Sequence, residues 1–479
     1  MKIISDKIRT RRDFAFYVFK KASFQSLLRF ADIILEIVGF IMLIIGLPVA
    51  IISTQLVCSV LGAVIFFIGL ILNIIKYGKY SKYELKRTNA FDITKIIQCE
   101  SEFSSDKGTV EFTREELILS ENSEGKKDID WIFMSHELNK YLCDTSYTLK
   151  LEDQKDDSVK KEQITRLIKG HWDTLSRYLI HKATEAFKNG KAFYNEDKLC
   201  MADGFSLNSD AHVLKINCSK GGYYDSYLTN NIYEHRLRDK NGDKKSIAYA
   251  SEAFSQMRPY SKKGDKYNKA DISESDTLRA YRNTLLNNEF GVSTIAITRD
   301  NYIFQLIQSD RAQSSGQLIV PSGSGSCDYD DICGDDFRKT ITYAMQRELW
   351  EETGFKCPRK QKRQRIEKFG ETHVIGFFRW LKRNGKPEML GISYIDVNYN
   401  DIKPNAAEVK KEAVLVDRIR TIDDLKEYLK RIKAQTHPIG YNDYDGVSVP
   451  LLALVIALEE LLKDTEMALK VANVLRLQV

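Results

Sequence analysis

Paired cysteines are missing from this chain. The eight it has, Cys58, Cys99, Cys143, Cys200, Cys218, Cys327, Cys333 and Cys357, include no CxxC pair and no cysteine–histidine cluster at zinc spacing. That argues against a zinc module and a disulfide scaffold, and for reduced thiols in a cytosolic compartment. Low-complexity sequence is also absent: 43% apolar, 29% charged and 11% aromatic residues make the composition of a folded protein. A strong charge of one sign is lacking too. A net +6 spread over 479 residues gives no footprint for nucleic acid, so no nucleic-acid partner is expected. The length exceeds one compact core and predicts two or three domains.

The most telling absence is local. No charged residue occurs from Ile37 to Ile75. The run is too long for one membrane span and right for two, with Ser53-Thr54-Gln55 as the turn, so spans are expected at Ala31–Ile52 and Leu56–Lys76. Gly62, Ala63 and Gly69 give the second span small positions for close helix approach. A signal peptide would have a shorter apolar core nearer the terminus and a cleavage site. Lys2, Lys7, Arg9, Arg11, Arg12, Lys20, Lys21 and Arg29 precede the run, and Lys76, Lys79, Lys82, Lys86 and Arg87 follow it. The positive-inside rule then puts both termini in the cytosol and the hairpin in the lipid bilayer. Asp32 and Glu36, at the mouth of the first span, read either as interfacial acids paired with nearby bases or as pore-mouth acids.

The expected organisation is a basic N-terminus over 1–30 and two membrane helices over 31–76. A juxtamembrane linker with an α+β intermediate domain follows over 77–270, then a C-terminal α/β (α+β) domain over 271–479. In the intermediate part, Thr109–Phe112 and Leu117–Ser120 look like strands, and Ile164, Leu167, Ile168, Leu175, Tyr178, Leu179 and Phe187 recur at helical spacing. Leu214, Ile216 and Cys218 alternate as in a half-buried strand. In the C-terminal part, Val292–Thr298 and Tyr302–Gln308 flank Arg299-Asp300-Asn301 as a hairpin, and Leu318–Val320 starts a third strand before the small-residue loop Ser322–Ser326. Asp335 or Asp336 can cap a helix whose core face is Phe337, Ile341, Ala344, Met345 and Leu349, and Gly354 can end it. A second hairpin, Thr372–Lys382 with Met389–Tyr399, turns at Arg383–Lys386. One closing core helix is expected near Val449–Leu475.

On the helix that ends at Gly354, Glu348, Glu351 and Glu352 are three and four residues apart and share a face. Three carboxylates on one patch need cations, and a hard divalent ion such as Mg²⁺ or Mn²⁺ also binds diphosphate oxygens and activates water. Arg347 can hold one carboxylate in orientation. Read alone, the three glutamates favour a solvated helix face. The whole string Arg347–Phe355 (RELWEETGF) is more specific, because it resembles the second half of the Nudix signature, R-E-U-x-E-E-x-G-U with U apolar. Arg347, Glu348, Leu349, Glu351, Glu352, Gly354 and Phe355 all match. The resemblance implies a Nudix fold, metal binding at Glu348, Glu351 and Glu352, and a catalytic role for Arg347 and Glu351 in a Mg²⁺-dependent hydrolase of nucleoside diphosphate derivatives. The first half of the signature departs: the expected glycine and glutamate are Cys333 and Lys339, with Gly334 one residue off. Lys339 has the wrong charge to pair with Arg347, which puts hydrolysis in doubt and leaves binding intact. Glu408 is a candidate base. The basic run Arg359–Arg365 (RKQKRQR), with Arg359, Lys360, Lys362 and Arg363, is a solvated loop or an electrostatic collar for an anionic ligand or membrane surface. Ser322–Ser326 can offer N–H groups to phosphate.

A Nudix-like domain behind a two-helix hairpin resembles the transmembrane-Nudix effectors of bacterial cyclic-oligonucleotide antiphage (CBASS) systems. The resemblance implies that a companion CD-NTase makes a cyclic nucleotide second messenger on infection. The effector's cytosolic part binds it, homo-oligomers form, and the bacterial inner membrane is breached in abortive infection. The competing expectation is a membrane-tethered hydrolase of the same nucleotide class.

Overall fold

The structure is a computed structural model. It describes residues 93–105, 108–121, 124–153, 158–170, 172–189, 193–231, 235–239, 246–249, 277–309, 317–355, 362–405, 409–410, 414–434 and 446–478, with 83–87 and a few earlier positions. Both expected membrane spans lie outside the described residues, save for Ile65. Among the described residues no helix is long and apolar enough to cross a membrane.

The fold is mixed α/β, and contacts divide it into two units. The smaller unit combines 1–91, 160–195 and 234–253. Its strands Tyr83–Arg87, His235–Asp239 and Ser246–Tyr249 form an antiparallel sheet. Its helix Trp172–Asn189 buries Leu175, Tyr178 and Leu179, part of the periodic run seen in the sequence. The larger unit combines 92–159, 196–233 and 254–479. Contacts thus do not divide the chain at 270/271: residues 92–159 and 196–233 group with the C-terminal residues, because strand pairing joins them to partners far along the chain.

Besides a two-stranded parallel sheet of Gln98–Cys99 and Thr277–Leu278, the strands of the larger unit are, in chain order, β1 (Phe103–Ser105), β2 (Thr113–Glu121), β3 (Lys127–Met134), β4 (Thr148–Asp153), β5 (Asp197–Asn208) and β6 (Val213–Gly222). Then come β7 (Gly291–Thr298), β8 (Tyr302–Ile307), β9 (Ile319–Val320), β10 (Gly323–Ser326), β11 (Gly370–Trp380), β12 (Lys386–Ile395) and β13 (Val414–Arg418). A nine-stranded sheet runs β9-β8-β7-β12-β11-β3-β2, with β10 also on β7 and β13 on β8. Only β7 and β12 pair in parallel among its described ladders. A four-stranded sheet has the order β1-β5-β6-β4.

Helix α1 (His136–Cys143) follows β3. Helix α2 (Phe337–Glu352) packs on one face of the large sheet, where Ala296, Phe304, Leu306 and Val320 meet Tyr343, Leu349 and Trp350. Helices α3 (Lys362–Glu367) and α4 (Ile422–Ala434) follow. The closing segment is two helices rather than one, α5 (Val449–Leu461) and α6 (Thr465–Leu475). Asp464 separates them, because its carboxylate accepts the N–H groups of Glu466 and Met467 and so starts a new helix. Helix α5 is apolar nearly all round and shares a core with Ile295, Ile297, Leu390 and Ile392 on the face opposite α2. Each fully buried leucine there contributes about 1.5–3 kcal/mol.

The strand expected at Thr109–Phe112 is not formed there: β2 begins at Thr113, and residues 109–112 are the approach to it. Ser322–Ser326, expected as a loop, is largely strand β10, paired antiparallel to β7. Its glycines answer a packing need. A Cβ on Gly323 would lie 2.6 Å from the Leu349 Cα, and one on Gly325 would lie 2.2 Å from the Glu348 carboxyl carbon. Their absence lets α2 lie directly on the strand.

Candidate functional site

Helix α2 carries RELWEETGF, and its ends follow from local chemistry. Asp336 caps the start, its carboxylate accepting the Lys339 N–H at 2.9 Å. At the far end the chain turns through Gly354 at φ +85°, where a Cβ would lie 1.8 Å from the Lys403 carbonyl oxygen. The core face of the helix is the one its periodicity predicts: Phe337, Ile341, Ala344, Met345 and Leu349 are all buried.

Arg347 is the centre of the site. Its guanidinium donates to both Asp331 oxygens, Nε to Oδ1 at 2.9 Å and Nη2 to Oδ2 at 2.8 Å. Nη1 donates to Glu348 Oε1 at 2.8 Å, and Nη2 also reaches the Ser326 carbonyl of β10 at 2.8 Å. Asp328 is 3.6 Å away. Burial works against this positive charge, but Glu348, Asp331 and Asp328 outweigh it and hold Arg347 well above its ordinary range. Asp331 stands on a 3-10 turn, Tyr329–Asp331, fastened by a reciprocal capping box with Asp328. This is the carboxylate that the motif's upstream half was expected to supply. It comes from the loop before the helix, and Lys339 points away with 76% of its side chain exposed. Gly334, at φ +65°, lies in the same loop.

The three glutamates are each turned to a different partner, although Glu348 and Glu351 lie close enough for their charges to interact. Glu348 is turned toward Arg347 and the gap left by Gly325. Glu352, 3% exposed, accepts the Ser324 N–H at 2.9 Å. Glu351, more exposed, pairs with Lys362 of α3. Burial pushes the Glu348 carboxyl up to about 8; Arg347 opposes that, and Glu351 and Asp328 add to it. Among the described residues no group of three or more histidine, cysteine, aspartate or glutamate side chains is disposed to hold a metal ion. As arranged, these residues do not fit the divalent ion that the motif implies. The physical reason is that each carboxylate is turned to a different partner already.

A second cation enters from β5, which motif reading missed. Lys198, nearly buried, donates to Asp328 at 2.5 Å and to Glu196 at 3.1 Å. Burial opposes its charge, yet Asp328, Glu196 and Glu289 raise it above its ordinary range, while Arg347 and Lys198 hold Asp328 below its own. The signal for Asp331 was present in the sequence, since Asp328-x-x-Asp331 has capping-box spacing. Lys198 offered none, because it lies far from the motif in the chain.

The basic run is partly helix. Lys362 and Arg363 lie in α3; Arg359 and Lys360 lie outside the described residues, as does Glu408. Arg363 is turned to Glu367 at 3.4 Å, to Cys333 Sγ at 2.6 Å and over the Tyr343 ring at 4.7 Å. Of the expected ligand-binding residues that are described, Lys362 alone contacts a motif glutamate.

No family model matches the chain, and no curated protein matches it.

Proposed function

We propose that the larger unit is a Nudix-like nucleotide-binding domain acting as the receptor of a membrane effector of the CBASS kind. On this reading a cyclic nucleotide second messenger engages the site around Arg347. The bound units cluster through their N-terminal segments, and the assembled hairpins breach the bilayer. The observation that carries the reading is the Arg347 network on RELWEETGF. There the buried guanidinium and the ammonium groups of Lys198 and Lys362 gather around the motif helix, and they are groups of the kind that receive phosphate oxygens. The lysine on Glu351 and the arginine on Glu348 favour a receptor over a hydrolase, because a hydrolase of this class needs those carboxylates on a metal. Ligand-driven clustering supplies the differential binding that a population shift requires.

The test is a screen of cyclic di- and trinucleotides against the full-length protein in detergent, read by equilibrium binding and sedimentation. Binding with an increase in oligomer size supports the receptor. Neither binding nor a size change removes it. Mg²⁺-dependent turnover of a nucleoside diphosphate derivative, abolished by Glu351→Gln and by Glu352→Gln, would establish the hydrolase instead.

A further inference from the structure

We propose that a helix near the N-terminus, over residues 9–18, docks its outward face, Arg9, Arg12 and Phe16, on anionic lipid headgroups; the inference rests on the membrane part of the reading above. The smaller unit holds chain from both sides of the charge-free run: the helix precedes that run, and the strand Tyr83–Arg87 follows it. On the expected spans, seven residues separate Lys76 from Tyr83, a reach of about 25 Å at most. With the run in the bilayer, the smaller unit is therefore held at the membrane surface.

The segment is helical at residues 9, 12–14 and 16–18. Phe14, Tyr17 and Val18 are buried. The Tyr17 ring lies 6.2 Å from that of Trp172, the Arg9 guanidinium lies 4.2 Å from the centre of the Tyr194 ring, and Asp13 accepts the Asn195 N–H at 3.2 Å. These contacts fasten one side of the helix to its own unit. At about 100° per residue, Arg9, Arg12 and Phe16 fall together on the other side, within an arc of about 60°. Phe16 is 72% exposed, more than any other large apolar residue among those described. The Arg12 side chain is 62% exposed and that of Arg9 43%. Asp13 is the acid beside them, and it is already taken up by Arg12 at 2.9 Å and by Asn195. Two guanidinium groups against one carboxylate leave the face positive. Residues 1–30 carry eight lysines and arginines against two aspartates, an excess equal to the net charge of the whole chain. An aromatic ring between arginines suits the headgroup layer, where the ring enters the acyl boundary and the guanidinium groups stay at the level of the phosphates. The attraction of such groups to anionic lipid fades within a Debye length, so it acts on a face held as close as this one.

The experiment reconstitutes the full-length protein in vesicles of phosphatidylcholine alone or with added phosphatidylglycerol, both carrying brominated chains that quench tryptophan in the bilayer. Phe16→Trp adds one tryptophan to Trp131, Trp172, Trp350 and Trp380, and the added emission is read as the difference from wild type. In the anionic vesicles the lipid is expected to quench that emission by at least about half, with about twofold less quenching in phosphatidylcholine alone or at ~0.5 M salt. In the Phe16→Trp background, Arg9→Gln with Arg12→Gln is expected to bring the anionic vesicles down to the phosphatidylcholine level. Arg9→Lys with Arg12→Lys is expected to retain the quenching, since the lipid responds to charge. Matching melting curves for the two double variants keep the comparison free of folding effects. Added emission that aqueous acrylamide quenches and brominated lipid does not overturns the proposal and leaves the membrane reading standing. Equal lipid quenching in the two kinds of vesicle also overturns it, because the partner is then the acyl region and not the anionic headgroups. Protein that stays out of the vesicle fraction on flotation removes the membrane reading itself.

Discussion

Two buried arginines of the larger unit invite comparison. Arg379 of β11 is fully buried against Glu102, also fully buried, at 2.5 Å. Its Nη2 donates to the Arg279 carbonyl at 2.6 Å, and its plane lies 4.4 Å from the centre of the Tyr281 ring. Glu102 in turn accepts the Tyr281 N–H at 3.0 Å. One cation meets one anion, with an aromatic face, a backbone carbonyl and the Cys99 sulfur beside it. Arg347 meets three carboxyl groups, Asp331, Glu348 and Asp328, with Lys198 on Asp328 and Lys362 on Glu351 beside them. A matched buried pair is a fastening. A guanidinium shared among several carboxyl groups keeps partners when any one of them is withdrawn.

That contrast is open to attack, and the fastening gives the largest expected effect. Glu102→Gln leaves Arg379 buried without its counter-charge, which costs about 3–5 kcal/mol of folding stability in a urea titration. Cyclic-nucleotide binding per folded molecule should not change. A loss below about 1 kcal/mol would show that Arg379 is not held as the structure places it.

Asp331→Asn should cost less, because Arg347 keeps Glu348 and Asp328. Loss of charge-assisted hydrogen bonds predicts about 1.5–3 kcal/mol, with cyclic-nucleotide binding weakened as Arg347 shifts toward Glu348. A cost equal to that of Glu102→Gln would erase the distinction between the two arginines.

Glu348 sharpens it through pH. Burial raises this carboxyl from its ordinary value of 4.5 to about 8 in the folded chain. Between those values the folded state holds a proton that the unfolded state has lost. The stability tied to that proton is therefore present at low pH and lost as pH rises from about 4.5 to about 8. Wild-type melting temperature should fall across that window. Glu348→Gln, which mimics the protonated carboxyl, should flatten the fall, measured by thermal melts in matched ionic strength. A wild-type curve rising through the window would place Glu348 in water rather than against Gly325.

What the sequence disclosed here was local. The cap at Asp336, the core face from Phe337 to Leu349, the turn at Gly354 and the hairpin at Arg299–Asn301 depend on neighbours a few residues away, so periodicity and turn chemistry are enough to find them. The mixed α/β class follows from the same signals. Three features were out of reach because they depend on distant partners. Strand β3 extends the sheet of β11 through Phe378 against Met134, and Asp130 accepts the Trp380 indole N–H at 2.9 Å. No pattern within residues 113–134 states that partnership. Strand β10 looked like a loop because Gly and Ser favour loops, yet its composition is set by the helix lying on it. The third feature, Lys198 beside Asp328, depends on β5 meeting the loop before α2.

The smallest expected effect tests the motif itself. Lys339→Glu would place a glutamate where the Nudix pattern expects one. If the motif governed this site by spacing alone, the change should bring a second carboxylate to Arg347 and improve the site. The structure points the other way. Residue 339 lies in the first turn of α2, its side chain is 76% exposed, and its contact is an ion pair with Asp336 at 3.2 Å. Arg347 already has both oxygens of Asp331. The substitution should therefore change folding stability by no more than about 0.5 kcal/mol, as is usual for exposed positions. Losing the ion pair opposes it, and an acidic residue near the helix N-terminus favours it, so the two contributions largely cancel. Cyclic-nucleotide affinity should stay within about twofold of wild type, and Mg²⁺ should confer no turnover of nucleoside diphosphate derivatives. A gain in Mg²⁺-dependent hydrolysis from this single change would mean that the loop carrying Asp331 can withdraw and let residue 339 take its place. The carboxylate paired with Arg347 would then be set by motif spacing after all, and the site would be a dormant enzyme rather than a receptor.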